Sequence, residues 1–263
     1  MKQKTLGLAL GSGGGRGVAH IGFLKALEEA GIKPNYITGT SMGAVVGAAY
    51  AAGLSADQIY EIFKKVKVVD LIEPTLKTGG LFASNRIENI LKKHIGDKTF
   101  DELEIPYKCV AADLLSRKAV VLESGKVNKA VAASSAIPAF FKPIELNGQK
   151  LVDGGIVERV PAAQVKEMGA DVVVAVDVLA RDARQTKANL IVENLMQVID
   201  IMDETITKLK YNQNKKIIDL WLEPEIGEAS PYSLKDMAAV YEAGYKIGKE
   251  NVDKIKKLLN VKN

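Results

Sequence analysis

The pentapeptide Gly39-Thr40-Ser41-Met42-Gly43 separates a short apolar segment at 36–38 from a helical pattern at 42–52. A G-x-S-x-G sequence in that position is the signature of a sharp strand-to-helix turn that lifts the serine hydroxyl clear of the backbone. Glycine at both ends lets the strand and the helix crowd together. The rest of the chain alternates in the same way. Strand patterns are expected at 5–10, 107–112, 118–122, 171–178 and 217–223, and helical patterns at 18–27, 55–66, 84–94, 129–135, 190–213 and 235–259. Such alternation predicts an α/β fold with a mostly parallel sheet covered on both faces. No repeat or linker divides the 263 residues, so one domain is expected over 1–263. Its motif-bearing core spans about 5–180, with 190–263 packed against it.

Composition excludes several classes. The net charge of +4 gives no support to a nucleic-acid partner. The single cysteine, Cys109, rules out an intramolecular disulfide and reads as a small core residue. The 42–54 stretch is too short and too rich in small residues to span a bilayer. A cytoplasmic protein is expected. The terminal helix, lysine-rich on one side and apolar on the other, either docks on the body or touches an anionic membrane surface.

A second glycine-rich segment, Gly11-Ser12-Gly13-Gly14-Gly15-Arg16-Gly17, follows the first strand and precedes a helix. It fails as a dinucleotide fingerprint because Arg16 stands where the third glycine belongs, and no Gly-Lys-Ser/Thr marks a phosphate loop. The reading that survives is an oxyanion hole, in which preorganised N–H donors contribute about 3 kcal/mol each to a tetrahedral intermediate. A Ser-His-Asp hydrolase would need a histidine late in the chain. The two histidines here are His20 and His94, both early; His94 suits a helix C-terminus, while His20, one turn into the helix after the glycine loop, stays open either to reach the site or to pack beneath it. The base for Ser41 is therefore expected to be a carboxylate. Asp153, in Leu151-Val152-Asp153-Gly154-Gly155, is the leading candidate, and spacing leaves Asp113, Asp171 and Asp177 open. An Asp-Gly hairpin turn is the competing reading of that segment.

Together these elements, with Ala133-Ser134-Ser135-Ala136-Ile137-Pro138, resemble the patatin-like phospholipase family, especially its short bacterial members, from about Leu6 to Val178. The resemblance implies a three-layer α/β/α sandwich. It further implies that Ser41 is the nucleophile and Asp153 the proton acceptor of a Ser–Asp dyad. Gly13, Gly14 and Gly15 with Arg16 would frame the oxyanion hole, while Gly39, Gly43, Gly154 and Gly155 belong to the motifs. Ser12 stands where the family loop often has glycine. The implied activity is hydrolysis of acyl esters of lipids through an acyl-enzyme, with no metal or organic cofactor; no calcium-ligand spacing occurs in the sequence. An acyltransferase of the malonyl-CoA:acyl carrier protein transacylase kind is disfavoured because Thr40 occupies the place of that family's histidine. A non-catalytic lipid-binding protein is the remaining alternative. The apolar loop bearing Ile137, Pro138, Phe140, Phe141 and Pro143 is a candidate wall for an acyl chain.

Overall fold

In a computed structural model the chain is described over residues 3–66, 82, 85–179, 191–227, 229 and 235–261, with backbone alone at 191–193, 195 and 196. The five central strands follow the expected pattern. They are β1 (Leu6–Leu10), β2 (Tyr36–Thr40), β3 (Tyr107–Asp113), β7 (Val172–Val176) and β8 (Leu220–Leu222), all parallel, in the order β8-β7-β1-β2-β3. β1 and β7 are buried throughout, which is why both read as unbroken apolar runs rather than alternating ones. Leu6, Leu8 and Leu10 pack with Val172, Val174 and Val176 in the larger core, while Ala9, Val173 and Ala175 join a smaller one on the opposite face. Both faces of the sheet are covered, as the alternation of elements requires.

The remaining strands are antiparallel. β4 (Lys118–Leu122) pairs with β3 from Cys109 to Asp113. β6 (Gln149–Asp153) pairs with β3 from Ala111 to Asp113, and β5 (Ile144–Leu146) pairs with β6. The turn between β5 and β6 is Asn147-Gly148, with φ of 52° and 76°. That is the tight two-residue hairpin that Asn-Gly favours. The hairpin therefore lies upstream of Asp153, not at Asp153-Gly154, where the competing sequence reading had put it.

The helices are α1 (Val18–Glu29), α2 (Met42–Ala51), α3 (Ala56–Lys65), α4 (Asn85–Ile95), α5 (Val127–Ser134), α6 (Ala162–Glu167), α7 (Ile191–Asn214) and α8 (Met237–Leu258). Most start where the sequence expects. Ser55 caps α3 in a reciprocal capping box with Gln58. Gly31, at φ 69°, ends the turn after α1. The expected starts at Ser84 and Leu190 lie outside the described residues. The short α6, between Pro161 and Met168, was not expected.

The C-terminal helix settles on the body. Ile255 and Leu259 are buried, and Ile247, Val252 and Leu258 pack on the main core, with Lys246, Lys249, Lys254 and Lys257 outward. The apolar side that a membrane contact would need is thus covered by the body. Contact with α1 is close because both helices carry glycine at the crossing: a Cβ on Gly22 would overlap the Tyr241 carbonyl oxygen, and one on Gly244 would overlap that of Ala19. Replacing Gly244 by valine should therefore lower stability by about 1–3 kcal/mol through overpacking. Urea unfolding checks this; an unchanged midpoint would contradict the close crossing.

Candidate active site

The register of three strands sets the geometry of the site. β3 pairs with β2 from Tyr107 to Val110 and with β6 from Ala111 to Asp113, while β4 occupies the other edge. β2 and β6 therefore run head-on along one edge of β3. β2 ends with Thr40 opposite Val110, and β6 ends with Asp153 opposite Ala111. Both chains must turn off the edge at that point, which places Ser41 and Asp153 side by side although 112 positions separate their numbers. Gly154 turns so tightly that a Cβ there would overlap the Val110 carbonyl oxygen and stand 3.0 Å from Thr40 Cγ2.

Ser41 occupies φ 54°, ψ −121°, a conformation that L residues adopt only under constraint. Such strain costs of order 1–3 kcal/mol and persists where the surroundings over-determine it. Here the surroundings do so. The Ser41 N–H donates to Ser134 Oγ at 3.0 Å, and that hydroxyl donates in turn to the Val110 carbonyl at 2.6 Å. The Ser41 carbonyl accepts from the Ala44 and Val45 N–H groups and starts α2. A Cβ on Gly39 would lie 2.6 Å from Ala44 Cα, and one on Gly43 would overlap the Leu10 carbonyl oxygen, so neither position admits a side chain. Ser134 was legible as part of a motif, but its role as the support of the elbow was not.

Asp153 is buried, and its side chain accepts from the Gly155 N–H at 2.8 Å as it caps a short 3-10 turn, Gly154–Ile156. The Ser41 side chain stands near enough to the same carboxyl group to favour its ionised form. Burial raises the Asp153 pKa to about 7; Ser41 and the hydrogen bond from Gly155 oppose the rise, Asp203 adds to it and Arg159 opposes it. A carboxylate near neutrality is matched to proton transfer at physiological pH, whereas one at its ordinary value is a weak base. The other aspartates have other partners. Asp113 accepts from the N–H groups of Leu115 and Ser116 in the β3–β4 turn and of Lys150 in β6. Asp171 accepts from Thr5 at the opposite end of β1, and Asp177 pairs with Arg159.

The glycine loop borders the same point. A Cβ on Gly17 would lie 2.7 Å from that of Met42, the residue after Ser41. Gly14–Gly17 forms a 3-10 turn in which the Arg16 N–H donates to the Gly13 carbonyl at 3.1 Å. The N–H groups of Gly13, Gly14 and Gly15 precede that first bond of the turn. The Arg16 side chain is buried and anchors the loop, with Nε donating to the Ala229 carbonyl at 2.7 Å and Nη1 to that of Leu179 at 3.2 Å. His20 is wholly buried, with its pKa lowered to about 4 chiefly by burial. It is neutral, and because a carbonyl can only accept, its Nε2–H donates to the Gly11 carbonyl at 2.8 Å. His20 thus secures the start of the loop.

Sequence reasoning named Asp177 but missed Arg159 and Asp203, the charged groups clustered with it behind Asp153. Arg159 pairs with Asp177 at 3.4 Å and with Asp203 of α7 at 3.0 Å, and all three are buried. Asp203 is 44 positions from Arg159 on a helix that reads as amphipathic, so no local signal could have paired them. Among the described residues no group of three or more acids, histidines or cysteines could hold a metal, and no helix is long and apolar enough to cross a membrane.

The chain is similar to known proteins in both sequence and fold. The family model for patatin-like phospholipase matches residues 8–166. An uncharacterized NTE family protein of Mycobacterium tuberculosis is 37% identical over 198 residues, which are 73% of this chain and 55% of that protein. Lysophospholipase nte1 of Emericella nidulans is 28% identical over 285 residues, covering 96% of this chain and 18% of the relative. Human patatin-like phospholipase domain-containing protein 6 is 33% identical over 186 residues, 68% of this chain and 14% of that protein. The chain thus spans about half the length of the mycobacterial relative, and far less of the other two. Among solved structures, VipD of Legionella pneumophila aligns with a TM-score of 0.65 at 14% identity, over 97% of this chain and 67% of VipD. A human GIVD cytosolic phospholipase A2, in complex with methyl gamma-linolenyl fluorophosphonate, aligns at 0.52 and 12% identity over 98% of this chain and 59% of that one. The two alignments are evidence of a shared fold. With a family model matched across more than half its length, the chain belongs to the patatin-like phospholipase family.

Proposed function

We propose that the protein is a serine-dependent hydrolase of lipid acyl esters, working through a Ser41–Asp153 dyad. The observation that carries the reading is the junction of β2 and β6, which sets Ser41, on its strained elbow, beside a buried carboxylate whose proton affinity lies near neutrality. Relatives named lysophospholipase and patatin-like phospholipase support the lipid ester as substrate class.

Asp153 takes the proton as Ser41 Oγ attacks the ester carbonyl carbon. The carbonyl π electrons move to oxygen, and the N–H groups of Gly13, Gly14 and Gly15 are assigned to that oxyanion. Arg16 contributes by fixing the loop through its buried hydrogen bonds. Collapse of the intermediate breaks the C–O bond to the alcohol, which leaves with the proton from Asp153, and the acyl group stays on Ser41. Water then attacks the acyl-enzyme, giving its proton to Asp153, and Ser41 recovers a proton as the fatty acid departs. One carboxylate serves both half-reactions, so no histidine is required. Phe140 is buried, and Phe141 packs on Phe82 with ring centres 6.2 Å apart. We assign the loop carrying them to one wall of the acyl-chain site.

Labelling with a fluorophosphonate probe and turnover of p-nitrophenyl esters test the reading directly. The Ser41→Ala variant should lose labelling, and Asp153→Asn should lose about 10²–10⁴-fold in kcat/KM, the usual contribution of a general base. Undiminished turnover in Asp153→Asn would sink the dyad.

The pH dependence follows from the raised carboxylate. Asp153 is active when ionised, so kcat/KM should rise with pH and level off above about 7. A profile already flat through the ordinary carboxylate range would contradict the assignment.

A further inference from the structure

Glu158 and Arg159 form a hub behind the site. Their carbonyl oxygens hold the two segments that flank Ser41 and Asp153: Thr40 Oγ1 donates to the Glu158 carbonyl at 2.9 Å, and the Ser12 N–H donates to that of Arg159 at 3.0 Å. Their side chains reach the other way, to α7. Lys210 pairs with Glu158 at 2.8 Å, and Asp203 pairs with Arg159 at 3.0 Å. Asp203 and Lys210 are seven positions apart, two turns along one face of the helix. The opposite face leaves Val198, Ile201, Met202 and Leu209 exposed, while the inner face carries these two ion pairs and the contact of Tyr211 with Trp221.

The Asp203 carboxylate also comes close to Asp153 itself. A Cβ placed on Gly155 would stand 3.2 Å from Asp153 Oδ1, 3.2 Å from Ser12 Oγ and 3.4 Å from Asp203 Oδ2. The three oxygens therefore surround one small volume, which only the absence of a side chain at Gly155 keeps open. Asp203 Oδ1 and Arg159 Nη2 are buried without a hydrogen-bond partner among the described residues. Their arrangement is not the one that maximises pairing, which favours a role for the charges beyond holding the helix.

We propose that Asp203, clamped by Arg159, is a positioning residue for Asp153: the two carboxylates and the guanidinium form one buried charge cluster that sets how readily Asp153 takes the Ser41 proton, and α7 delivers its outer member. The inference rests on the dyad reading above. Among the described residues the groups facing Asp153 are the Ser41 hydroxyl from the elbow, Ser12 and the Gly155 N–H from the two loops, Arg159 beyond the 3-10 turn, and Asp203 from α7, with Asp177 behind Arg159 at the end of β7. His20 beneath the loop is neutral and adds no charge. Burial and the neighbouring acids lift Asp203 itself to about 6, against the pull of Arg159, so the two carboxylates titrate as a coupled pair.

The signs of the charges separate this role from simple packing. Removing the Asp203 charge takes a like charge from Asp153 and lowers its proton affinity; removing the Arg159 charge takes away an opposite one and raises it. The experiment is the pH dependence of fluorophosphonate labelling at Ser41 in the full chain, for wild type, Asp203→Asn, Arg159→Gln and Lys210→Gln. The rising limb should move to lower pH by about one unit in Asp203→Asn and to higher pH by about one unit in Arg159→Gln. Lys210→Gln cuts the other tie of α7 and should leave the limb within a small fraction of that shift. Limbs that stay put in both charge variants, or move the same way, overturn the proposal, as does an equal shift in Lys210→Gln, which would assign the effect to a loosened helix. If either charge variant does not fold, the direction of the limb in the other decides. Absence of pH-dependent labelling in the wild type removes the dyad reading and this inference with it, whereas a normal wild-type limb with unmoved variants removes the inference alone.

Discussion

Two strands ending against each other on one edge of β3 are the constraint on which the site depends. The edge offers one run of hydrogen-bonding groups, and β2 uses it as far as Val110 while β6 uses it from Ala111 onward. Neither strand can continue without displacing the other, so each must leave the sheet within a residue. The exit at Ser41 is costly in backbone terms, a positive φ, and the exit at Gly154 leaves no room for a side chain. Ser134 completes the junction by accepting from the Ser41 N–H and donating to the Val110 carbonyl, so the elbow and the strand edge share one hydroxyl. Ser41 and Asp153 are thus brought together chiefly by backbone pairing.

That junction is also where water is excluded, and the energetics of the site follow from its dryness. A carboxylate in a low-dielectric environment binds its proton more tightly, because the charged form loses its hydration. At Asp153 this effect outweighs the contacts that favour the ion. The cluster of Arg159, Asp177 and Asp203 carries the same desolvation cost, and such buried pairs contribute little net stability. Their presence behind Asp153 is better accounted for by control of its charge than by adhesion of α7. Stability comes instead from the apolar faces of the sheet and from the close crossing of α1 and α8.

Much of this was legible in the sequence. The elbow could be read because its requirements are local: a strand, a serine, a helix, and glycine where backbone approaches backbone. The helix at Ser55 and the glycine after α1 were readable for the same reason. The Asn147-Gly148 turn carries an equally local signal, and taking it into account would have moved the hairpin away from Asp153. The order of the strands was not legible, because the pairing of β6 with β3 joins segments about forty residues apart through contacts that leave no periodic mark.

Motif chemistry therefore named Ser41, Asp153 and the glycine loop, but it left Asp113, Asp171, Asp177 and His20 as open alternatives. Folding assigned each of these to other partners: a hairpin turn, the far end of β1, a buried guanidinium, and the carbonyl of Gly11. It also brought Asp203 to Asp153 from a helix whose sequence pattern shows only amphipathicity. The division has a physical cause. Turn geometry and helix capping depend on neighbours along the chain, whereas the proton affinity of a carboxylate depends on the water and charges within a few ångströms, and those are set by how distant segments pack.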